Sequence, residues 1–145
     1  MNRRMVVAAL ALAGIFVALY LTLYKLGAIG ELSCQVGSCE TVNSSPWAVF
    51  LGAPVAAWGI GFYAVTFVVA MAGLQGRFAD SRRLSLVLVL LSGFGVAFSG
   101  WLTYLELFVI HAICQWCVVS AVLVLAIFLV SLWDYMAPEE VIRDQ

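Results

Sequence analysis

Apolar residues along this chain fall into four long runs separated by shorter polar stretches. The runs cover about 5–24, 54–74, 84–105 and 114–133. Each is close to the roughly 20 residues that carry a helix across a bilayer. Residues 27–52 form the longest polar stretch. Gly, Ser, Asn and Pro recur in it, so it reads as a loop. Inside it, Val49-Phe50-Leu51 is apolar but too short to span, and is expected to rest on the membrane interface. Gln75–Arg83 reads as a short loop, Glu106–Ile113 as a tight outer turn and Asp134–Gln145 as a polar tail. Pro54 suits a first helical turn, where its missing N–H costs little. Gly59 and Gly61, then Ser92, Gly93, Gly95, Ser99 and Gly100, put small side chains where membrane helices approach one another. The pattern predicts an all-α fold: an integral membrane four-helix bundle, one domain over residues 1–145.

Composition agrees with this. Apolar residues make up 65% of the chain and charged residues only 10%, against roughly 25% charged in a soluble domain. The partners this implies are membrane lipid and no nucleic acid, because the seven basic residues form no extended patch. The first apolar run is longer than the roughly 7–15 residues of a signal peptide, so it is expected to remain as a helix. Arg3, Arg4, Arg77, Arg82, Arg83 and Arg143 all fall on one side of a four-helix topology, and only Lys25 on the other. That asymmetry predicts both termini in the cytoplasm of a multi-pass protein of the inner (plasma) membrane. The loop over 27–52 and the turn before the fourth helix then share the extracytoplasmic face.

The candidate chemistry lies on that face. The chain has four cysteines, and all of them fall there: Cys34 and Cys39 in the long loop, Cys114 and Cys117 where the fourth helix begins. Cys114-Gln-Trp-Cys117 has the two-residue spacing of a reactive dithiol. At a helix N-terminus the macrodipole and unpaired N–H groups favour the thiolate. Three readings stand: two structural disulfides in an inert membrane protein, a four-thiolate zinc site, or a relay of thiol–disulfide exchange between the pairs. A two-residue loop is a poor clamp, and no other zinc-site feature is present, so the relay is preferred. It needs an electron acceptor. With no dinucleotide, flavin or haem motif in the sequence, a membrane quinone reached from inside the bundle fits best. Cys117, the deeper cysteine of its pair, is placed to meet it.

The order of motifs carries a resemblance. A spaced cysteine pair (Cys34, Cys39) is followed by Ser45 and Trp47, by Gly52 and Pro54, by Gly59 and Tyr63, and then by Cys114 and Cys117 at the fourth helix. This closely resembles bacterial homologues of vitamin K epoxide reductase over about Leu10 to Trp133, most of all in the stretch Tyr104 to Cys117. The disulfide-bond oxidase DsbB has four membrane helices too, but its Cys-x-x-Cys lies in the first outer loop. The resemblance implies that Cys117 passes electrons to the quinone, ubiquinone or menaquinone, and that Cys114 is its partner. Cys39 would reach Cys114, and Cys34 would meet an outside thiol protein. Ser45 matches a polar residue near the family's active site. Animal members carry Asn near the position of Val55 and Tyr near Ala121, where they hold the vitamin K ring. Both are apolar here, which favours a quinone over an epoxide as substrate. Some bacterial members carry a fused thioredoxin-like domain; here the redox partner is expected to be a separate DsbA-like or thioredoxin-like protein. The implied function is a membrane thiol oxidase supporting disulfide formation. The alternative is a quinone or vitamin K epoxide reductase driven by a thioredoxin-like donor.

Other residues are read more plainly. Glu106 and His111 are expected to be ordinary interfacial polarity rather than proton-handling groups. Trp47, Trp101 and Trp116 suit an aromatic belt, with Trp116 also a candidate contact for the quinone. Phe62, Tyr63 and Phe67 are expected to pack helices rather than line a binding site. The basic asymmetry predicts that a reporter fused after Gln145 is active only in the cytoplasm; activity of that fusion in the periplasm would overturn the arrangement.

Overall fold

The computed structural model describes residues 3–25, 49–50, 52–75, 82–111 and 115–136. Four helices account for nearly all of them: α1 (Arg3–Lys25), α2 (Val55–Ala72), α3 (Arg82–Tyr104) and α4 (Gln115–Met136). All four are long and apolar enough to cross a membrane. With no water in the hydrocarbon core, the backbone must satisfy its own hydrogen bonds, and a helix does so within one segment. Just before α2, β1 (Val49–Phe50) pairs antiparallel with β2 (Ala53–Pro54). Gly52 turns between them at φ +82°, where a side chain would be strained. Among the described residues the fold is thus all-α apart from this short ladder, which takes up Val49 and Phe50 of the expected interfacial segment.

The helices form a ring. α1 packs on α2 and on α4, α4 packs on α3, and the ring stays nearly open between α2 and α3. Each inner face follows the helical repeat. On α1 it runs Arg4, Val7, Ala8, Ala11, Ala18, Leu21 and Thr22; on α4 it runs Val124, Ile127, Ser131 and Asp134. The outward faces carry large apolar side chains such as Phe16, Val68, Leu90 and Leu129. In water that surface would be a liability; in a bilayer it is the face turned to lipid. The closest approaches occur at Gly95, one of the expected glycines, and at Gly14 and Gly73, which are not among them. A Cβ on Gly14 would collide with the Tyr63 ring, one on Gly73 would lie 2.6 Å from Leu84, and one on Gly95 would lie 2.7 Å from Val124. Gly59 makes ordinary contact with Ala18 at 3.5 Å, and Gly61 faces open space.

Two expected boundaries are corrected. α4 runs on to Met136, so Asp134 belongs to its buried face and not to a polar tail. α3 does not end at Leu105 but continues as a π-helix over Leu105–Ile110, replacing the expected turn. The resulting span is 29 residues. At 1.5 Å per residue it measures about 43 Å, longer than the roughly 30 Å hydrocarbon core, so it tilts or reaches into the interface.

At the end of the bundle where α1 starts and α4 finishes, Arg4 is buried. Its Nε donates to Asp134 Oδ2 (3.2 Å), its Nη1 to the Gly73 carbonyl (2.8 Å) and its Nη2 to Ser85 Oγ (3.0 Å). Ser85 Oγ in turn donates to Asp134 Oδ2 at 2.6 Å. One guanidinium therefore ties α1 to α3, α4 and the end of α2. Around it, Arg3 stacks over Trp133 at 4.4 Å, and Arg82 donates to the Tyr135 carbonyl at 3.0 Å. Breaking a buried ion pair by removing one partner costs about 3–5 kcal/mol, because the other charge is stranded. Asp134→Ala should therefore destabilise the detergent-solubilised protein by that order in thermal or denaturant unfolding. Replacing Arg4 and Asp134 together by Met and Leu should cost clearly less. Equal losses in the two variants would show that the pair is not what holds this end.

Candidate functional site

Because the ring is loose between α2 and α3, it encloses a cavity of about 580 Å³. That lies within the roughly 300–1,000 Å³ range of small-molecule sites. All four helices line it. On α3 its wall runs from Leu91 to Glu106, about 22 Å at 1.5 Å per residue, so the cavity is a slot lying along the bundle. Its two ends differ. Towards the start of α4 it holds Cys117, Ser120, Ser99, Thr103 and Glu106; towards Leu91 its walls are Val65, Phe94 and other apolar groups. Trp58, Val65 and Phe94 line the slot and are also exposed, Phe94 by 69%. The slot therefore opens on the lipid-facing surface.

Cys117 sits in the first turn of α4, half-buried. It packs with Trp116, Ile110 and Ala56 around the buried Leu21 of α1. Position 117 lies on the inner face of α4 because it is seven residues before Val124, about two helical turns. One turn further in, Tyr63 of α2 reaches across to α4, where its hydroxyl lies 2.9 Å from the Ser120 carbonyl and 2.8 Å from Ser120 Oγ. The ring can cross α1 on the way only because position 14 is glycine. Phe62 packs edge-on against Tyr63 with centroids 5.2 Å apart, and both line the slot, contrary to the expectation that they only pack helices. Phe67 does lie against the core cluster.

The other predicted site residues divide as follows. Val55 and Ala121 line the slot. Trp116 turns towards α1, its ring edge-on to Tyr20 at 5.5 Å between centroids, and is not among the lining residues. Cys34, Cys39, Ser45 and Cys114 lie outside the described residues, as does Trp47. Trp101 is exposed and stacks on Tyr104 at 5.9 Å, as a belt residue does.

Glu106 departs from expectation. It is 5% exposed, on the slot wall, in the π-helical segment. His111, by contrast, is exposed and closes that segment in a left-handed conformation (φ 58°, ψ 36°), donating its N–H to the Glu106 carbonyl. A periodic signal for Glu106 is present in the sequence. Ser85, Ser92, Ser99 and Glu106 recur every seven residues along one face of α3, and Ser85 and Ser92 are fully buried.

The model of the vitamin K epoxide reductase family matches this chain over residues 5–132, which reaches into all four helices and takes in both cysteine pairs. Members are membrane oxidoreductases that couple thiol–disulfide exchange to a quinone acceptor and work with thioredoxin-like partners. The chain belongs to the vitamin K epoxide reductase family.

Proposed function

We propose that this family member is a thiol oxidase working at the extracytoplasmic face of the inner membrane. A DsbA-like or thioredoxin-like protein outside the cytoplasm delivers electrons to Cys34 and Cys39. That pair reduces the Cys114–Cys117 disulfide, and the resulting dithiol passes two electrons to a quinone, ubiquinone or menaquinone. The observation that carries this reading is the position of Cys117 on the wall of a long apolar slot that opens towards lipid. A quinone has a flat polar-edged ring and an apolar tail. The slot has the matching gradient: polar groups and the thiol at one end, apolar walls and an opening at the other.

The four cysteines then work in order along the chain's outer face. Each handover is a thiolate attack on a disulfide sulfur through a mixed disulfide. The orientation is supported by the Arg3, Arg4 and Arg82 cluster, which lies at the bundle end remote from Cys117. Val55 and Ala121 give the ring apolar contacts and no hydrogen bonds. That favours quinone over vitamin K epoxide, the substrate of the alternative reading.

Two measurements test the path. Cys117→Ser should abolish quinol formation while the protein still folds and inserts. Serine is nearly isosteric, but it is a far poorer nucleophile at neutral pH and forms no disulfide. Normal quinol formation in that variant would remove Cys117 from the mechanism. The handover between pairs is tested by the double variant Cys34→Ser with Cys117→Ser, which lacks both resolving thiols. A Cys39–Cys114 disulfide should then persist. Trypsin cutting at Arg77, Arg82 or Arg83 in detergent separates the two cysteines along the chain. Their peptides should stay joined until reductant is added; separation without reductant would rule out direct transfer.

A further inference from the structure

Glu106 has no place in the relay just described, yet its setting is costly. A carboxyl is withdrawn from water into the wall of an apolar slot, where an ionised group persists only with partners and where an ionisable side chain marks a functional position. The backbone around it is also unusual. It lies in a π-helix of six residues, and π segments inside α-helices occur mostly at functional sites. The segment ends on His111 at φ 58°, an uncommon conformation for a residue with a side chain. Among the described residues, the other ionisable groups lining the slot are Cys117 on α4 and Tyr63 on α2; α1 contributes Val17, Ala18 and Leu21. Tyr63 is engaged with Ser120, and His111 is on the exposed side. Among the described residues, Glu106 and Cys117 are the carboxyl and the thiol that line the polar end of the slot together.

We propose that Glu106 carries a proton between the Cys117 thiol and the quinone; this rests on the quinone reading above. Oxidation of the dithiol breaks two S–H bonds and forms one S–S bond. Two electrons pass to the quinone, and two O–H bonds form on the quinol. Glu106, as carboxylate, accepts the Cys117 proton as the thiolate forms, and gives it to the nearer quinone oxygen as the electron pair arrives. The Cys114 proton leaves to water at the outer face, and that water completes the second O–H. Glu106 ends as it began.

The test is single-turnover quinol formation by the full-length protein, its cysteines pre-reduced, in lipid nanodiscs with a soluble ubiquinone analogue. General acid–base groups contribute about 10²–10⁴-fold. Glu106→Gln should therefore slow quinol formation by roughly 10²-fold or more and flatten its pH profile, with little change in the quinone concentration giving half-maximal rate. Glu106→Asp should restore part of the rate and the pH dependence. A Gln variant with the wild-type rate and profile would overturn the proposal. So would a loss confined to quinone affinity, which marks a positioning role. If Glu106→Gln does not fold, infrared difference spectra of the wild-type protein take its place. A carboxyl band must appear and decay during quinone reduction, and its absence overturns the proposal. A wild-type protein that forms no quinol at all defeats the quinone reading itself and this step with it, an outcome distinct from a failure of Glu106 alone.

Discussion

Lipid tails are as apolar as the side chains they surround, so a membrane bundle gains little hydrophobic drive for holding its helices together. A bundle with a slot down one side has less packing still. Here the deficit is met at one end by Arg4. Three of its nitrogens each have a partner, and between them those partners belong to α3, α4 and the end of α2. Such a charge is tolerable in low dielectric only when it is paired and its donors are satisfied. With one end closed in this way, the other can stand apart, and α2 and α3 separate without the bundle falling open. The Tyr63–Ser120 contact is a second tie at mid-height. It joins two helices that are not neighbours in the ring, and it depends on the missing side chain at Gly14.

The four helices are legible from hydrophobic run lengths, because a membrane span is a one-dimensional signal, and the cysteine spacing is legible directly from the residue positions. The residues that organise the interior were not, for one physical reason. A charge after a long apolar run looks like the end of the helix. On that basis Asp134 reads as tail and Glu106 as turn. Both sit on the helical face that the preceding buried residues define: Asp134 after Ile127 and Ser131, Glu106 after Ser85 and Ser92. Periodicity carries the information that run length discards. In the sequence Arg4 is only a topology signal, since its partner lies 130 residues away and no local pattern links them. Glycine positions were legible as a class but not individually. Gly14 and Gly95 are filled by rings from another helix, while Gly61 meets nothing. Which glycine is needed depends on the neighbour's side chain.

The π-helix adds a constraint on the site. Its i→i+5 bonding, seen in the His111 N–H to Glu106 carbonyl contact, widens the last turns of α3 and leaves Leu105 and Glu106 inward while Leu107, Phe108 and Val109 face out. A single acidic side chain can thus sit inside a segment that is otherwise suited to lipid. The segment stays close to Cys117 through Ile110, which packs in the same cluster around Leu21. The acid is carried by the π-helical end of α3 and the thiol by the first turn of α4.

The donors in the slot also bear on which acceptor it suits. Opening an epoxide develops charge on oxygen, and an enzyme lowers that barrier with hydrogen-bond donors already aimed at it. Here the hydroxyls of Tyr63 and Ser120 bond to each other, and Thr103 donates to the Ser99 carbonyl of its own helix at 2.8 Å. Val55 and Ala121 offer none. A quinone asks for less. Its ring binds by area, its oxygens need protons only as electrons arrive, and the proposed role of Glu106 with Cys117 on the same slot wall would meet that need. On the quinone reading, the few donors among the described lining residues would leave the slot permissive towards quinones differing in ring substituents. Selection would then fall to shape near Cys117, where Val55, Ala121 and Ile110 set the width.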